Sequence, residues 1–237
     1  MAQNAALPLL SEPRVEIRPL LKNVYMWMTL GLLLTTAVAV VTNAVEPLRS
    51  LVLNPTVVII AIFAQLGLVL ALSFGLRRFS AQTATIMFLL YAGTMGFTLS
   101  LVLLAYTAGS IVAALGTTAV LFGTMTVLGL TTQIDLTKLG TYLFIGLIGV
   151  LIAMVVNIFL RSSGLEFIIS ILGVVIFTGL TAYDTQKIKR MAMDPSIEAE
   201  GGDLMQKLSI MGALTLYLDF INLFLFLLRL FGGGSRN

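Results

Sequence analysis

Two aspartates of this 237-residue chain stand out, Asp184 near the inner end of the sixth long apolar run and Asp219 in the middle of the seventh. The other acidic residues lie in the N-terminal stretch, the loops or the edges of apolar runs. An ionisable side chain at membrane depth costs about 2.5–3.5 kcal/mol on insertion scales, so it is retained for a reason. Gly212, Thr215, Asp219 and Asn222 share one helical face, while Leu and Phe cover the rest. Thr181 lies one turn before Asp184 and adds a hydroxyl to its face. Asp184 also stands near Lys187, so an interfacial place beside that ammonium is open to it. Two carboxylates in one low-dielectric site repel when both are ionised, so such a pair would hold one shared proton. It would change charge with pH without any histidine. Carboxylate oxygens are also what Ca²⁺ prefers, but two carboxylates fall short of its usual 6–8 ligands. Asp184 and Asp219 therefore suit transient passage of a hard cation better than tight storage, and no tightly bound cofactor is expected.

The composition excludes most other chemistry. His and Cys are absent, which removes zinc sites, thiol catalysis, disulfides and Ser–His triads. No Gly-rich phosphate loop occurs, and the basic residues are few and scattered, so neither nucleotide chemistry nor nucleic-acid binding is indicated. The chain is 58% hydrophobic and only 11% charged, with a mean hydropathy of +1.03. A soluble domain carries about 25% charged residues. The lipid bilayer is the solvent this composition fits.

Apolar runs near residues 24–45, 57–76, 84–106, 111–130, 139–160, 165–183 and 208–228 each approach the roughly 20 residues needed to cross hydrocarbon. They predict an all-α membrane protein of seven transmembrane helices. Its organisation is a cytosolic N-terminal tail (1–22), a transmembrane domain (23–232) and a short C-terminal tail (233–237). Alternating loops place ten basic residues on one side: Arg14, Arg18, Lys22, Arg77, Arg78, Lys138, Lys187, Lys189, Arg190 and Lys207. The other side holds Arg49, Arg161, Arg229 and Arg236. The positive-inside bias puts the N-terminus in the cytosol and the C-terminus outside. Small residues recur at Ala92, Gly96 and Ser100 and again at Ala105, Gly109 and Ala113, a spacing that suits close helix packing. An internal echo links Gly129-Leu-Thr-Thr-Gln-Ile-Asp-Leu-Thr-Lys to Gly179-Leu-Thr-Ala-Tyr-Asp-Thr-Gln-Lys, as a duplicated helical hairpin would.

The segments Gly179-Leu-Thr-Ala-Tyr-Asp-Thr-Gln-Lys-Ile-Lys, Leu214-Thr-Leu-Tyr-Leu-Asp-Phe-Ile-Asn-Leu-Phe and Leu227-Leu-Arg-Leu-Phe-Gly resemble the Bax inhibitor family, its bacterial members included. The resemblance runs from about Lys22 to Gly232. It implies a bundle with the seventh helix central, a pH-sensitive pair on Asp184 and Asp219, and a Ca²⁺ leak favoured at lower pH. It also puts on Arg77 a latch to the span-six aspartate, and it suggests a bacterial inner membrane. Thr181, Thr215 and Asn222 would be the polar residues of the pore face. Gln65 stands in span two where some relatives carry an acid. The loop from Met191 to Gln206, with Asp194, Glu198, Glu200 and Asp203, is longer than in compact relatives. One alternative is an interaction protein that modulates a membrane-bound quality-control protease. A less favoured one is an intramembrane aspartyl protease, whose Tyr-Asp pattern Tyr183-Asp184 matches. Against it, Asp219 lacks the flanking glycines of those proteases, and the chain is not expected to be an enzyme. Counted as depth, Asp184 sits about one turn inside the inner boundary and Asp219 roughly 15 Å deep. They can meet only if span six dips inward, span seven is shifted, or a vestibule reaches Asp219.

Overall fold

The computed structural model describes residues 19–75, 78–194 and 202–232. Among them are eight α-helices: α1 (Pro19–Ala44), α2 (Glu46–Val52), α3 (Pro55–Gly75), α4 (Ala81–Ala105), α5 (Ala108–Thr131), α6 (Thr137–Leu160), α7 (Ser163–Ala192) and α8 (Gly202–Gly232). All but α2 are long and apolar enough to cross a membrane, and the described residues contain no strand. In hydrocarbon a backbone must satisfy its own hydrogen bonds, and the helix is how a single segment does so.

Local chemistry marks where the helices start. Ser80, Thr107 and Ser162 cap α4, α5 and α7, each accepting a hydrogen bond from the backbone N–H three residues on. Pro55 opens α3, where its missing N–H costs nothing. Arg161 ends α6 in a left-handed conformation, φ 50°. Helix α2 was not expected from hydropathy, since it is a short amphipathic turn, begun at Glu46-Pro47, in a connection too polar to register as a span.

Helix α8 is the most buried element. It packs against α1, α4, α5 and α7, whereas α3 leans on α4 and α6 on α7. Four helices thus touch α8 closely and two form an outer layer. The first small-residue stripe is a packing stripe. A Cβ at Gly96 would lie 2.5 Å from the Thr35 carbonyl oxygen, Thr35 donates to the Ala92 carbonyl, and Asn43 donates to that of Ser100. The second stripe is not one, because Ala105 and Gly109 lie on two helices separated by the turn at Tyr106–Thr107, and Ala105 and Ala113 are exposed.

Helices α7 and α8 run well beyond the apolar runs that predict them. Asp184 is followed by eight more helical residues, to Ala192. Polar side chains on that extension grip the α5–α6 connection: Gln186 donates to the Ile134 carbonyl and accepts from the Leu136 N–H, and Lys189 donates to the Leu130 carbonyl. Arg190 pairs with Asp135 at 2.5 Å. The two halves of the internal echo therefore differ in structure. The first ends a helix and turns, while the second stays helical and binds the first.

Candidate functional site

The register of α7 on α8 explains how the aspartates meet. Gly173 packs on the Phe226 ring near one end, and Ile188 packs on Gly212 near the other, so the helices are antiparallel. In that register residue 219 lies opposite residues 180–181, which leaves Asp184 about one turn away along the axis. Side chains tilt toward the N-terminus of their own helix. On antiparallel neighbours the two tilts converge and close the stagger. The carboxyls adjoin, within hydrogen-bonding reach of each other. Both residues are buried, Asp184 at 9% exposure and Asp219 at 4%. The α7 extension thus places Asp184 two turns inside its helix, about 12 Å from the end at 1.5 Å per residue.

The surroundings of the pair are unequal. The exposed Lys187 ammonium, one turn along α7, is the positive charge acting on Asp184. Asp219 has no such neighbour, and its Oδ2 has no hydrogen-bond partner among the described residues. Buried hydroxyls accumulate on the helices around it. Tyr25 of α1 faces Thr126 of α5 and Thr185 of α7, and no two of the three reach hydrogen-bond geometry. A buried polar atom without a partner costs about 1–3 kcal/mol, and Asn43 and Thr178 add two more such oxygens to these four.

The other expected site residues separate into groups. Thr181 is buried and donates to the Phe177 carbonyl, Thr215 donates to that of Met211, and Asn222 to that of Leu218. Each polar group is returned to its own helix. Gln65 is buried and donates to the Thr94 carbonyl and the Thr98 hydroxyl, tying α3 to α4. Tyr183 lies over Gly140 of α6, so its ring faces a different neighbour from the one Asp184 faces. Arg77, Arg14, Arg18, Arg236, Glu198 and Glu200 lie outside the described residues.

Sequence reasoning passed over Tyr217, Tyr25, Thr126 and Thr185. Tyr217 is fully buried two residues before Asp219, shares a 2.7 Å hydrogen bond with Thr35, and meets Phe88 and Tyr91 edge-on. Its place in Leu-Tyr-Leu-Asp was a usable signal, because a phenol deep in a span needs a partner.

The pair and its helices lie within a segment that a family model recognises. The model described as "Inhibitor of apoptosis-promoting Bax1" matches residues 17–237. The chain belongs to the Bax inhibitor family. Among bacterial relatives of similar length, "Inner membrane protein YbhL" of Escherichia coli K12 is 45% identical over 222 residues, covering 93% of this chain and 94% of the relative. A protein of Borreliella burgdorferi is 47% identical over 218 residues, covering 92% of each chain. One of Rickettsia prowazekii is 45% identical over 216 residues, covering 91% of this chain and 90% of the relative. Membership spans α1 to α8, so the whole bundle, and not the aspartate segment alone, is of Bax inhibitor type.

Proposed function

We propose that this Bax inhibitor family protein is a pH-sensitive, calcium-permeable leak channel of a bacterial inner membrane, gated by Asp184 and Asp219. The observation that carries the reading is the meeting of two buried carboxyls on adjacent helices of an apolar bundle. Ionised together they repel across a medium that screens poorly, which favours drawing α7 and α8 apart or bringing in a cation. Sharing one proton, they hold each other. The charge of the pair thus biases the packing of two long helices, which is the requirement for a gate. Among the described residues no third acidic side chain joins them. Two carboxylates and scattered hydroxyls are oxygen ligands of the kind Ca²⁺ accepts, in a number that lets it leave again.

The inner-membrane name of the Escherichia coli relative and the charge pattern support the membrane setting. Lys22, Arg78, Lys138, Lys187, Lys189, Arg190 and Lys207 stand at the face where α1 begins, and Arg49, Arg161 and Arg229 at the opposite face. That bias supports a cytosolic N-terminus.

Calcium flux through the full-length protein in liposomes, measured across a pH series, tests the function. Asp→Asn keeps the shape and fixes a protonated-like state. Asp184→Asn or Asp219→Asn alone should flatten the pH dependence, and the double variant should add little, because the two act as one unit. A double variant whose pH response matches the wild type overturns the gate.

A further inference from the structure

The motif Leu227-Leu-Arg-Leu-Phe-Gly plays no part in the aspartate site. It ends α8 at the face opposite the one where α1 begins, and Arg229 stands there between two cavities. One, of about 570 Å³, is lined by Ser110, Ser163, Glu166 and Arg229 among others. The second, of about 350 Å³, is lined by Asn157, Arg161, Glu166 and Arg229 among others. Both fall within the roughly 300–1,000 Å³ typical of small-ligand sites. Arg229 and Glu166 line both, so the two cavities adjoin at these side chains, which put charges of both signs in the wall of each.

Those charges do not neutralise one another. The ion pairs among the described residues are Arg190–Asp135 and Lys207–Asp203, and neither involves Arg161, Glu166 or Arg229. The Arg229 guanidinium lies 5.3 Å from the centre of the Phe226 ring, which holds it in place and leaves its donors for a ligand. An anion alone would satisfy the arginines and be repelled by Glu166. A cation alone would meet the reverse. A ligand carrying both signs a few atoms apart satisfies all three.

The outer rim of the same walls is apolar and exposed: Ile158 is 69% and Phe167 59% exposed. These side chains face the bilayer beside the charged cavities, at the level where a helix ends and headgroups begin. Headgroup below and acyl chain alongside is the arrangement of a bound phospholipid. We infer that the adjoining cavities between α6, α7 and the end of α8 bind a zwitterionic phosphate–ammonium headgroup, with Arg229 and Arg161 on the phosphate and Glu166 on the ammonium. Arginine suits the first task because its planar fork grips phosphate oxygens in pairs. The site is independent of the leak reading and stands or falls separately.

Native mass spectrometry of the detergent-purified full-length protein tests it, with phosphatidylethanolamine or phosphatidylglycerol added in equal amounts. Phosphatidylethanolamine should be retained about tenfold more, the worth of one charge-assisted contact. Glu166→Gln should bring its retention down to that of phosphatidylglycerol. Arg229→Gln should lower retention of both lipids about tenfold, with Arg229→Lys recovering part of the loss. A further arm adds soluble phosphoethanolamine. Displacement of the bound lipid identifies the free headgroup as a sufficient ligand, and no displacement identifies the lipid. Both outcomes keep the phosphate–ammonium chemistry. Equal retention of the two lipids by the wild-type protein overturns the proposal, as does unchanged retention in Glu166→Gln. Glu166 is exposed, so that substitution leaves folding intact and the test usable even if Arg229→Gln does not fold.

Discussion

Helices α6 and α8 are both single membrane-length segments, yet they solve opposite problems. The most apolar 18-residue stretch of α6 has a mean hydropathy of 2.8, and 6% of it is buried in the protein. For α8 the values are 1.9 and 67%. The more apolar helix is therefore the one on the outside. Lipid tails are as apolar as leucine, so a helix facing them gains nothing by turning polar. A helix enclosed by others meets side chains instead, and there Tyr217 finds the Thr35 hydroxyl and Asp219 a second carboxyl. In α8 the lower hydropathy goes with depth in the protein; it does not do so everywhere, since α5 has the same mean hydropathy of 1.9 with 17% of its stretch buried.

The strongest test of that contrast truncates an aromatic on each helix. Tyr217→Ala removes a fully buried side chain of α8 together with its contacts to Phe88, Tyr91 and Thr35. It should cost about 3 kcal/mol, the lower end for such truncations, because a chain unfolded in a bilayer keeps its apolar solvent. Phe144→Ala on α6, at 59% exposure, should change stability by less than about 0.5 kcal/mol. Unfolding in mixed detergent–SDS micelles reads both. Similar losses would dissolve the contrast between core and lipid-facing helices.

A smaller effect separates close-packed glycines from open ones. A Cβ at Gly129 would lie 2.5 Å from the Ala182 carbonyl oxygen, a backbone atom that cannot swing away, whereas Gly149 of α6 has nothing within 4 Å. Gly129→Ala should destabilise by about 1–3 kcal/mol. Gly149→Ala should be neutral or slightly stabilising, since it removes backbone freedom from the unfolded chain. The same unfolding assay distinguishes them, and equal effects would mean that α5 and α7 are less tightly joined than this register requires.

Tyr217→Phe isolates one hydrogen bond. Losing the bond to Thr35 should cost about 0.6 kcal/mol, the average for polar contacts between membrane helices. A stability equal to that of Tyr217→Ala would assign the whole effect to the hydroxyl and none to the ring.

The smallest effect is expected at the exposed end of α7. The Thr137 hydroxyl and then Arg190 hold the Asp135 carboxyl below the usual carboxylate range. A depressed carboxylate contributes stability that is fully present above its unfolded value of about 3.9 and fades only as the pH falls below it. The loss caused by Asp135→Asn should therefore be slight and equal at pH 8 and pH 6, and it should shrink with salt because the pair is exposed. A loss that grew between pH 8 and pH 6 would place the pH sensitivity of this end of α7 in the clamp rather than in the aspartate pair.

The amino-acid sequence by itself determined the class and the count. Seven apolar runs leave a bilayer as the only adequate solvent, and hydrogen-bond satisfaction inside it makes each run a helix. It also singled out Asp184 and Asp219, because an acid at membrane depth is costly and rare. Hydropathy could not show where α7 stops. Residues 185–192 look like the start of a loop by polarity, and they remain helical because Gln186, Lys189 and Arg190 find backbone and side-chain partners on the α5–α6 connection. Nor could it show that the two aspartates meet. Depth counted along each run placed them apart. Their contact comes from the antiparallel register of α7 and α8 and from side chains that tilt toward opposite ends, which are relations between two helices and belong to neither segment alone.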